Sequence, residues 1–421
     1  MRHQFVKAPG QVVELSPAEN GNEYNLLTAC RLPSRMRKLL RFFAASAVLI
    51  LTLTLTNGLI GSGKSNGPIP SGYVGDEKCL TCHKDYKTFS ETAHHLTSRE
   101  ATRESIAGDF AGGRNVLKTA ERELTYRMEA KPDGFFQTAV LGTPPDTVSM
   151  SQRFDLVIGS GRKGQTYLYW DKGDRLYQLP VSYWTELASW VNSPGYGDRF
   201  LDFSRPVLPR CLECHASFFE AISDPNAGNR YKRSDYALGV SCEKCHGPGE
   251  EHAALNATSG VRPVNQAIVN PAKLPRERQL DLCALCHGGI GVAKAPTFTF
   301  AVGKTLNDYL QLQIPKADDP LDVHGNQIAL LERSRCFKSS GMTCSTCHNV
   351  HSTQRKVADF SGRCLACHKV ESCGMYKKRG HAIADKCIDC HLPNQISNVI
   401  FSAHDGTTIK PRVRNHWIKV Y

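Results

Sequence analysis

Hydrophobic residues follow three regimes along this 421-residue chain. The first 35 residues are polar and patternless. Arg35, Arg37, Lys38 and Arg41 then precede an uncharged apolar run of 14 residues, Phe42 to Leu55, with the length and basic flank of an export signal. Extended through Ile60 the run reaches 19 residues, enough to span a bilayer. Two readings are open, a cleaved signal peptide or an uncleaved anchor at residues 42–60. Three threonines and an asparagine weaken the anchor, and Gly61-Ser62-Gly63 is a poor cleavage site. Met36 begins a better basic leader than Met1 does, so translation is expected to start there.

The third regime is alternation. Leu124–Met128, Phe135–Val140, Phe154–Ile158, Thr166–Trp170 and Arg175–Leu179 read as strands, and Asp171-Lys172-Gly173-Asp174 as a hairpin turn between the last two. A small antiparallel sheet is expected within residues 120–204. Inside it, Gly159-Ser160-Gly161-Arg162-Lys163-Gly164 has the glycine spacing of a dinucleotide loop. That fingerprint requires a helix after the glycines, whereas Gln165-Thr166-Tyr167-Leu168-Tyr169-Trp170 reads as strand, so a tight glycine turn is expected instead.

The rest of the chain is organised by a pentapeptide. Cys-x-x-Cys-His occurs seven times, at Cys79/Cys82/His83, Cys211/Cys214/His215, Cys242/Cys245/His246, Cys283/Cys286/His287, Cys344/Cys347/His348, Cys364/Cys367/His368 and Cys387/Cys390/His391. On a helical turn the two thiols share one face, where they can bond the two vinyl groups of a porphyrin. The histidine at i+4 lies on that face and supplies the proximal iron ligand. Paired Cys-x-x-Cys units also build zinc sites, and single ones serve thiol exchange. With 16 histidines in 421 residues, a histidine would follow a given Cys-x-x-Cys about one time in 25. It follows all seven, and seven covalently attached haem c groups are expected.

Haem is attached beyond the cytoplasmic membrane, so the chain is expected to be exported and periplasmic, with anchoring as the second reading. Of 17 cysteines, 14 lie in the motifs, leaving Cys30, Cys336 and Cys373. Cys30 precedes the apolar run. Cys336 and Cys373 are either a disulfide or two buried free thiols. The formal charge is +12 overall and +8 beyond residue 61. Seven ferric haems, each with two propionates, would offset about seven of those charges. Nucleic acid is therefore not expected as a partner. Roughly 51 residues per haem cannot build a separate side-chain core around each one, so the porphyrins themselves should form the core.

Each haem iron takes a ligand on each side. Eight histidines remain beyond the leader and the motifs: His94, His95, His252, His324, His351, His381, His404 and His416. Methionine is the rival ligand, but only Met128, Met150, Met342 and Met375 are available, so most sites should be bis-histidine and of low potential. His351 and His252 lie too close to their own motifs to reach round the same haem and should serve neighbours. At least one of His94 and His95 should ligate, as should His381. His324, His404 and His416 are ligands or, alternatively, surface or propionate-binding histidines.

The Cys-His-Gly-Pro-Gly-x-x-His segment at 245–252, the Cys-His-x-x-His-Ser segment at 347–352 and the histidine pair after the first motif resemble the multihaem cytochromes related to cytochrome c-554. Their wider superfamily includes hydroxylamine oxidoreductase and ammonia-forming nitrite reductase. The resemblance covers residues 73–105 and 205–421. It implies haems stacked in close pairs, mostly bis-histidine, passing electrons between periplasmic redox partner proteins, sometimes with one five-coordinate haem. The nitrite reductases' Cys-x-x-Cys-Lys does not occur here, and the motif count is one short of hydroxylamine oxidoreductase's.

The expected fold is a mainly α and irregular multihaem cytochrome, short helices wrapped around stacked haems, with a small inserted antiparallel sheet. The expected divisions are a leader (1–63), a first haem segment (64–119), the β insert (120–204) and a six-haem domain (205–421). An electron carrier is the leading functional expectation. The alternatives are an oxidoreductase acting on a small nitrogen or sulfur oxyspecies at one open haem, sought first at His83, and a sensing or assembly module that docks through the insert.

Overall fold

The structure, a computed structural model, describes residues 71–421 apart from residues 122, 198–200, 224–227, 258–266, 314 and 317–318. Met36, Cys30 and the apolar run at 42–60 lie outside the described residues. Among the described residues no helix is long and apolar enough to cross a membrane. The described residues form one compact unit.

Ten strands build the region between the first two motifs: β1 (Ser98–Glu100), β2 (Val116–Lys118), β3 (Leu124–Lys131), β4 (Gly134–Thr143), β5 (Asp146–Arg153), β6 (Leu156–Ile158), β7 (Gly164–Asp171), β8 (Arg175–Gln178), β9 (Val181–Trp184) and β10 (Ser189–Asn192). They form a four-stranded sheet, β2-β3-β4-β5, and a six-stranded sheet, β1-β6-β7-β9-β10 with β8 paired to β7. Period-two alternation gives the six-stranded sheet two apolar faces. Val157, Tyr167 and Tyr169 point to a core shared with Leu117, Leu124, Tyr126 and Met128 of the four-stranded sheet. Leu156, Ile158 and Leu168 point the other way, onto Leu212 in the helix of the second motif and onto Phe219 and Tyr231. The insert is thus a wall against the second motif.

Aromatic packing stiffens the inner core. Phe154 stacks on Tyr167 at 4.4 Å between ring centres, and the buried Trp190 meets Phe110, Tyr167 and Tyr183. The Trp190 indole N–H donates to the Asp109 carbonyl at 2.8 Å. A methyl group at Gly108 would lie 2.1 Å from the indole. Gly108→Ala should therefore cost about 1–3 kcal/mol by overpacking. A urea titration followed by far-UV circular dichroism would show the lowered midpoint, and an unchanged midpoint would refute this packing.

The glycine-rich segment is a turn. Gly159 has φ 103° and Gly161 φ 82°, and β7 begins at Gly164 with no helix between. A side chain at Gly159 would meet the Gly164 carbonyl oxygen at 2.7 Å. The glycines permit close backbone approach, and the helix of a nucleotide-binding loop is missing.

The expectation of a mainly helical and irregular chain is overturned. Strand makes up 27% against 30% helix, and six antiparallel sheets are present among the described residues. Beyond the insert, Ala216–Ala221 pairs Tyr231–Leu238, Gly291–Ala293 pairs Leu310–Leu312, Asn394–Ile396 pairs Arg412–Arg414, and Ser402–His404 pairs Thr407–Ile409. The physical reason is length. A Cys-x-x-Cys-His motif needs little more than one helical turn, and the connections between motifs satisfy their backbone groups as short hairpins.

Candidate haem-binding site

Each motif lies on or starts in a short helical segment: Asp76–Cys82, Pro209–His215, Cys242–His246, Arg276–His287, Cys344–Thr346, Val357–Leu365 and Cys387–His391, in sequence order. Helical hydrogen bonds bring the histidine onto the first cysteine's face, as His83 N–H to Cys79 O, His348 N–H to Cys344 O and His368 N–H to Cys364 O, all at 2.9 Å. Every described cysteine is a free thiol. Cys336 and Cys373 form no disulfide; Cys336 lies near Cys347 and Cys364 instead.

Cys367 and Cys390, the second cysteines of the sixth and seventh motifs, are exposed, and so are Cys82 and Cys211. The other ten are partly buried. For Cys367 and Cys390 the cause is how their motifs pack. Val357–Leu365 lies against Cys387–His391, and the two helices turn their first cysteines, Cys364 and Cys387, toward each other. The second cysteine of each of these two motifs is exposed.

Eight histidines face one another in four pairs. Ring centres are 6.3 Å apart for His83 and His252, 6.1 Å for His246 and His351, 6.2 Å for His94 and His287, and 6.2 Å for His348 and His416. An imidazole nitrogen binds a first-row metal at about 2 Å and lies about 1 Å from its own ring centre. Two imidazoles on opposite sides of one iron therefore have centres about 6 Å apart. Direct stacking would bring them closer. Each pair joins one motif histidine to one histidine outside the motifs, the combination a six-coordinate haem requires. Three pairs are nearly parallel, at 19°, 25° and 23°, while His94 and His287 are inclined at 75°.

The other sequence candidates fall elsewhere. His215 is oriented by its Nδ1, 3.0 Å from the Thr97 hydroxyl, and its carbonyl accepts from Ser98 Oγ at 2.6 Å. His324 lies close enough to depress the His215 pKa. His95 turns to Asp76, its Nδ1 3.2 Å from Oδ2. His381 stands edge-on to Tyr376 at 6.5 Å, and His404 Nδ1 is 3.9 Å from Asp405. His391 Nδ1 is 2.9 Å from the Lys419 carbonyl. Among the described residues no second histidine ring faces His368 or His391. His83, isolated in sequence, is not isolated in space: it faces His252 from beyond the third motif.

Electrostatics favours the neutral imidazole, the form that binds iron. Desolvation lowers the pKa of His94, His215, His324, His348 and His351. For His287 and His416 desolvation, followed by neighbouring imidazoles, carries it to about 4.

Sequence reasoning missed the charged residues inside the motifs. Glu213 and Glu243, at variable positions of the second and third motifs, are 5% and 2% exposed. Glu213 accepts from Arg210 at 2.9 Å and from the Phe298 N–H at 2.6 Å, while Arg210 also donates to the Leu285 carbonyl in the fourth motif. Lys244, beside Glu243, is desolvated among Glu213 and the cysteines of three motifs. Acids placed where a haem-binding turn offers only two free positions were the available signal.

Comparison with known proteins agrees with this chemistry. A family model described as cytochrome c554 and c-prime matches residues 201–247, which contain the second and third motifs. The C-type polyheme cytochrome OmcC of Geobacter sulfurreducens is 25% identical over 170 residues, which cover 35% of this chain and 21% of that protein. The chain thus matches about a fifth of that relative's length. The crystal structure of outer cell wall cytochrome OcwA aligns over 83% of this chain and 80% of its own, with a TM-score of 0.49 and 18% identity. With the family match falling on two of the repeated Cys-x-x-Cys-His segments, the chain is a multihaem c-type cytochrome.

Proposed function

We propose that this protein is an exported heptahaem electron carrier whose fourteen motif cysteines hold seven haems and whose motif histidines are the proximal ligands. The observation that carries this reading is the set of four histidine pairs with ring centres 6.1–6.3 Å apart. In it, His252, His351, His94 and His416 are the distal ligands opposite His83, His246, His287 and His348, and His324 serves His215. Bound haem supplies a one-electron iron couple, held at low potential where both axial ligands are imidazole. At these five irons the chain's contribution is to occupy both axial positions with neutral imidazoles, so that substrate has no place to bind there, and to hold successive motifs close together. Haems at the exposed Cys367 and Cys390 would lie at the surface, where electrons enter or leave. Redox partner proteins donate and accept those electrons, and residues 42–60 attach the chain to the membrane if they are not cleaved. The β insert packs against Leu212 of the second motif.

A second reading rests on His368 and His391. With no histidine ring facing either among the described residues, an iron at one of them would keep an exchangeable position, suited to a small nitrogen or sulfur oxyspecies.

Intact mass and electron paramagnetic resonance of the ferric protein test both readings. The carrier reading expects seven haem additions and, at the five irons with an assigned distal histidine, only low-spin signals and no cyanide binding. The inclined His94–His287 pair should give a separate, more anisotropic low-spin signal that His94→Ala removes. Fewer than seven additions would overturn the haem count. A high-spin, cyanide-binding haem in the unmodified protein would favour the oxidoreductase.

A further inference from the structure

Glu243 belongs to the third motif, yet its carboxylate reaches to the first. Its Oε1 accepts the Val74 N–H at 2.9 Å and the Gly249 N–H at 2.8 Å, and its Oε2 accepts the Gly75 N–H at 2.9 Å. Gly75 immediately precedes Asp76–Cys82, the helix that presents Cys79, Cys82 and His83. Gly249 immediately precedes Glu250–Leu255, the helix that carries His252. One buried carboxylate therefore grips both segments whose histidines face each other. Asp76 returns the contact: its Oδ1 accepts the Cys242 N–H at 2.8 Å, at the start of the third motif. Packing closes the joint, since the Glu250 N–H donates to the Gly72 carbonyl at 2.9 Å and a methyl at Gly249 would lie 3.1 Å from Glu243 Oε1.

We propose that Glu243 is a positioning residue that holds His252 opposite His83 and so keeps the first-motif haem six-coordinate. The inference rests on the axial reading of the His83–His252 pair. Without the carboxylate, the buried Gly249 N–H and the partly buried Val74 and Gly75 N–H groups lose a charged acceptor, and nothing else described ties the start of the His252 helix to both Val74 and Gly75. A glutamine cannot substitute fully. Its single carbonyl oxygen can replace only one carboxylate oxygen, and its amide would meet the remaining N–H groups donor to donor.

The experiment uses the full-length haem-loaded protein in five forms: unmodified, His252→Ala, Glu243→Ala, Glu243→Gln and the double variant His252→Ala/Glu243→Ala. Each is examined by intact mass, ferric paramagnetic resonance and cyanide titration. His252→Ala should convert one haem to a high-spin, cyanide-binding state. Glu243→Ala should produce that same new signal with the other signals unmoved, Glu243→Gln a partial amount of it, and the double variant no more than His252→Ala alone. If Glu243→Ala fails to assemble, Glu243→Gln decides, because it preserves shape: a wholly low-spin Gln variant would refute the proposal. A low-spin Glu243→Ala beside a high-spin His252→Ala would refute it equally. Should His252→Ala itself remain low-spin, the axial pairing falls, and the role of Glu243 with it.

Discussion

His416→Gly should turn one low-spin haem high-spin, let it bind cyanide, and revert to low-spin when free imidazole is added. His416 has its ring centre 6.2 Å from that of His348, nearly parallel to it at 23°. The ring is fixed from behind, with Nδ1 3.2 Å from the Arg414 carbonyl. The backbone on either side is pinned as well. Buried Asn415 bonds to Gln395, its carboxamide oxygen accepts the Trp417 N–H at 2.7 Å, and the Ile418 N–H donates to Ser334 Oγ at 2.7 Å. Such anchoring makes collapse of the segment into the vacated space costly, so a glycine there leaves room for an added imidazole. Cyanide titration before and after imidazole addition reads both halves of the expectation. If the variant stays low-spin and refuses cyanide, His416 is not an axial ligand.

Acidification should destabilise the protein before Asp76 and Asp322 begin to protonate. The folded-state pKa of His416, about 4, lies below the unfolded value of about 6.5. Above pH 6.5 neither state holds the proton and the group contributes no difference. As pH falls from about 6.5 to about 4, the unfolded chain gains a proton that the folded chain refuses, costing up to roughly 3 kcal/mol from this residue alone. His94, His215, His287, His324, His348 and His351 shift in the same direction. Iron coordination acts on the same side, because it also requires the neutral ring. Asp76 and Asp322 are held below the usual carboxylate range despite their desolvation, chiefly by hydrogen bonds, so their loss comes at lower pH. Urea midpoints should therefore fall steeply between pH 6.5 and 4.5, and a flat midpoint across that window would contradict the desolvation of these rings.

Much of the chemistry was legible in the sequence because the motif is local: five residues on one helical turn carry it whole. Exposure of a motif was not legible, since Cys367 and Cys390 stand in the same pentapeptide as the half-buried Cys245 and Cys286. The insert was legible where its strands are apolar and alternate cleanly, as in Thr166–Trp170. Strand β5 was not, because Asp146–Arg153 is exposed along most of its length and its apolar Val148 and Met150 extend past the core. The short β9 and β10 were lost to the single helical turn Thr185–Leu187 between them. The overall class was misjudged because hairpins of three-residue strands leave almost no periodic trace. The pairing of histidines was beyond reach for a different reason. His351 follows His348 by three residues yet faces His246, and such partners are set by tertiary packing.

The clamp between the first and third motifs also bears on the order in which the chain matures. The contacts from Glu243 to Val74 and Gly75 bridge 169 and 168 residues. In a chain exported N-terminus first, as proposed above, His83 would emerge long before Glu243 or His252. The first motif would then close only after the whole β wall and the third motif had followed. Contacts of such long range form late and slowly. Truncation after the insert would strand the first motif in that unfinished condition.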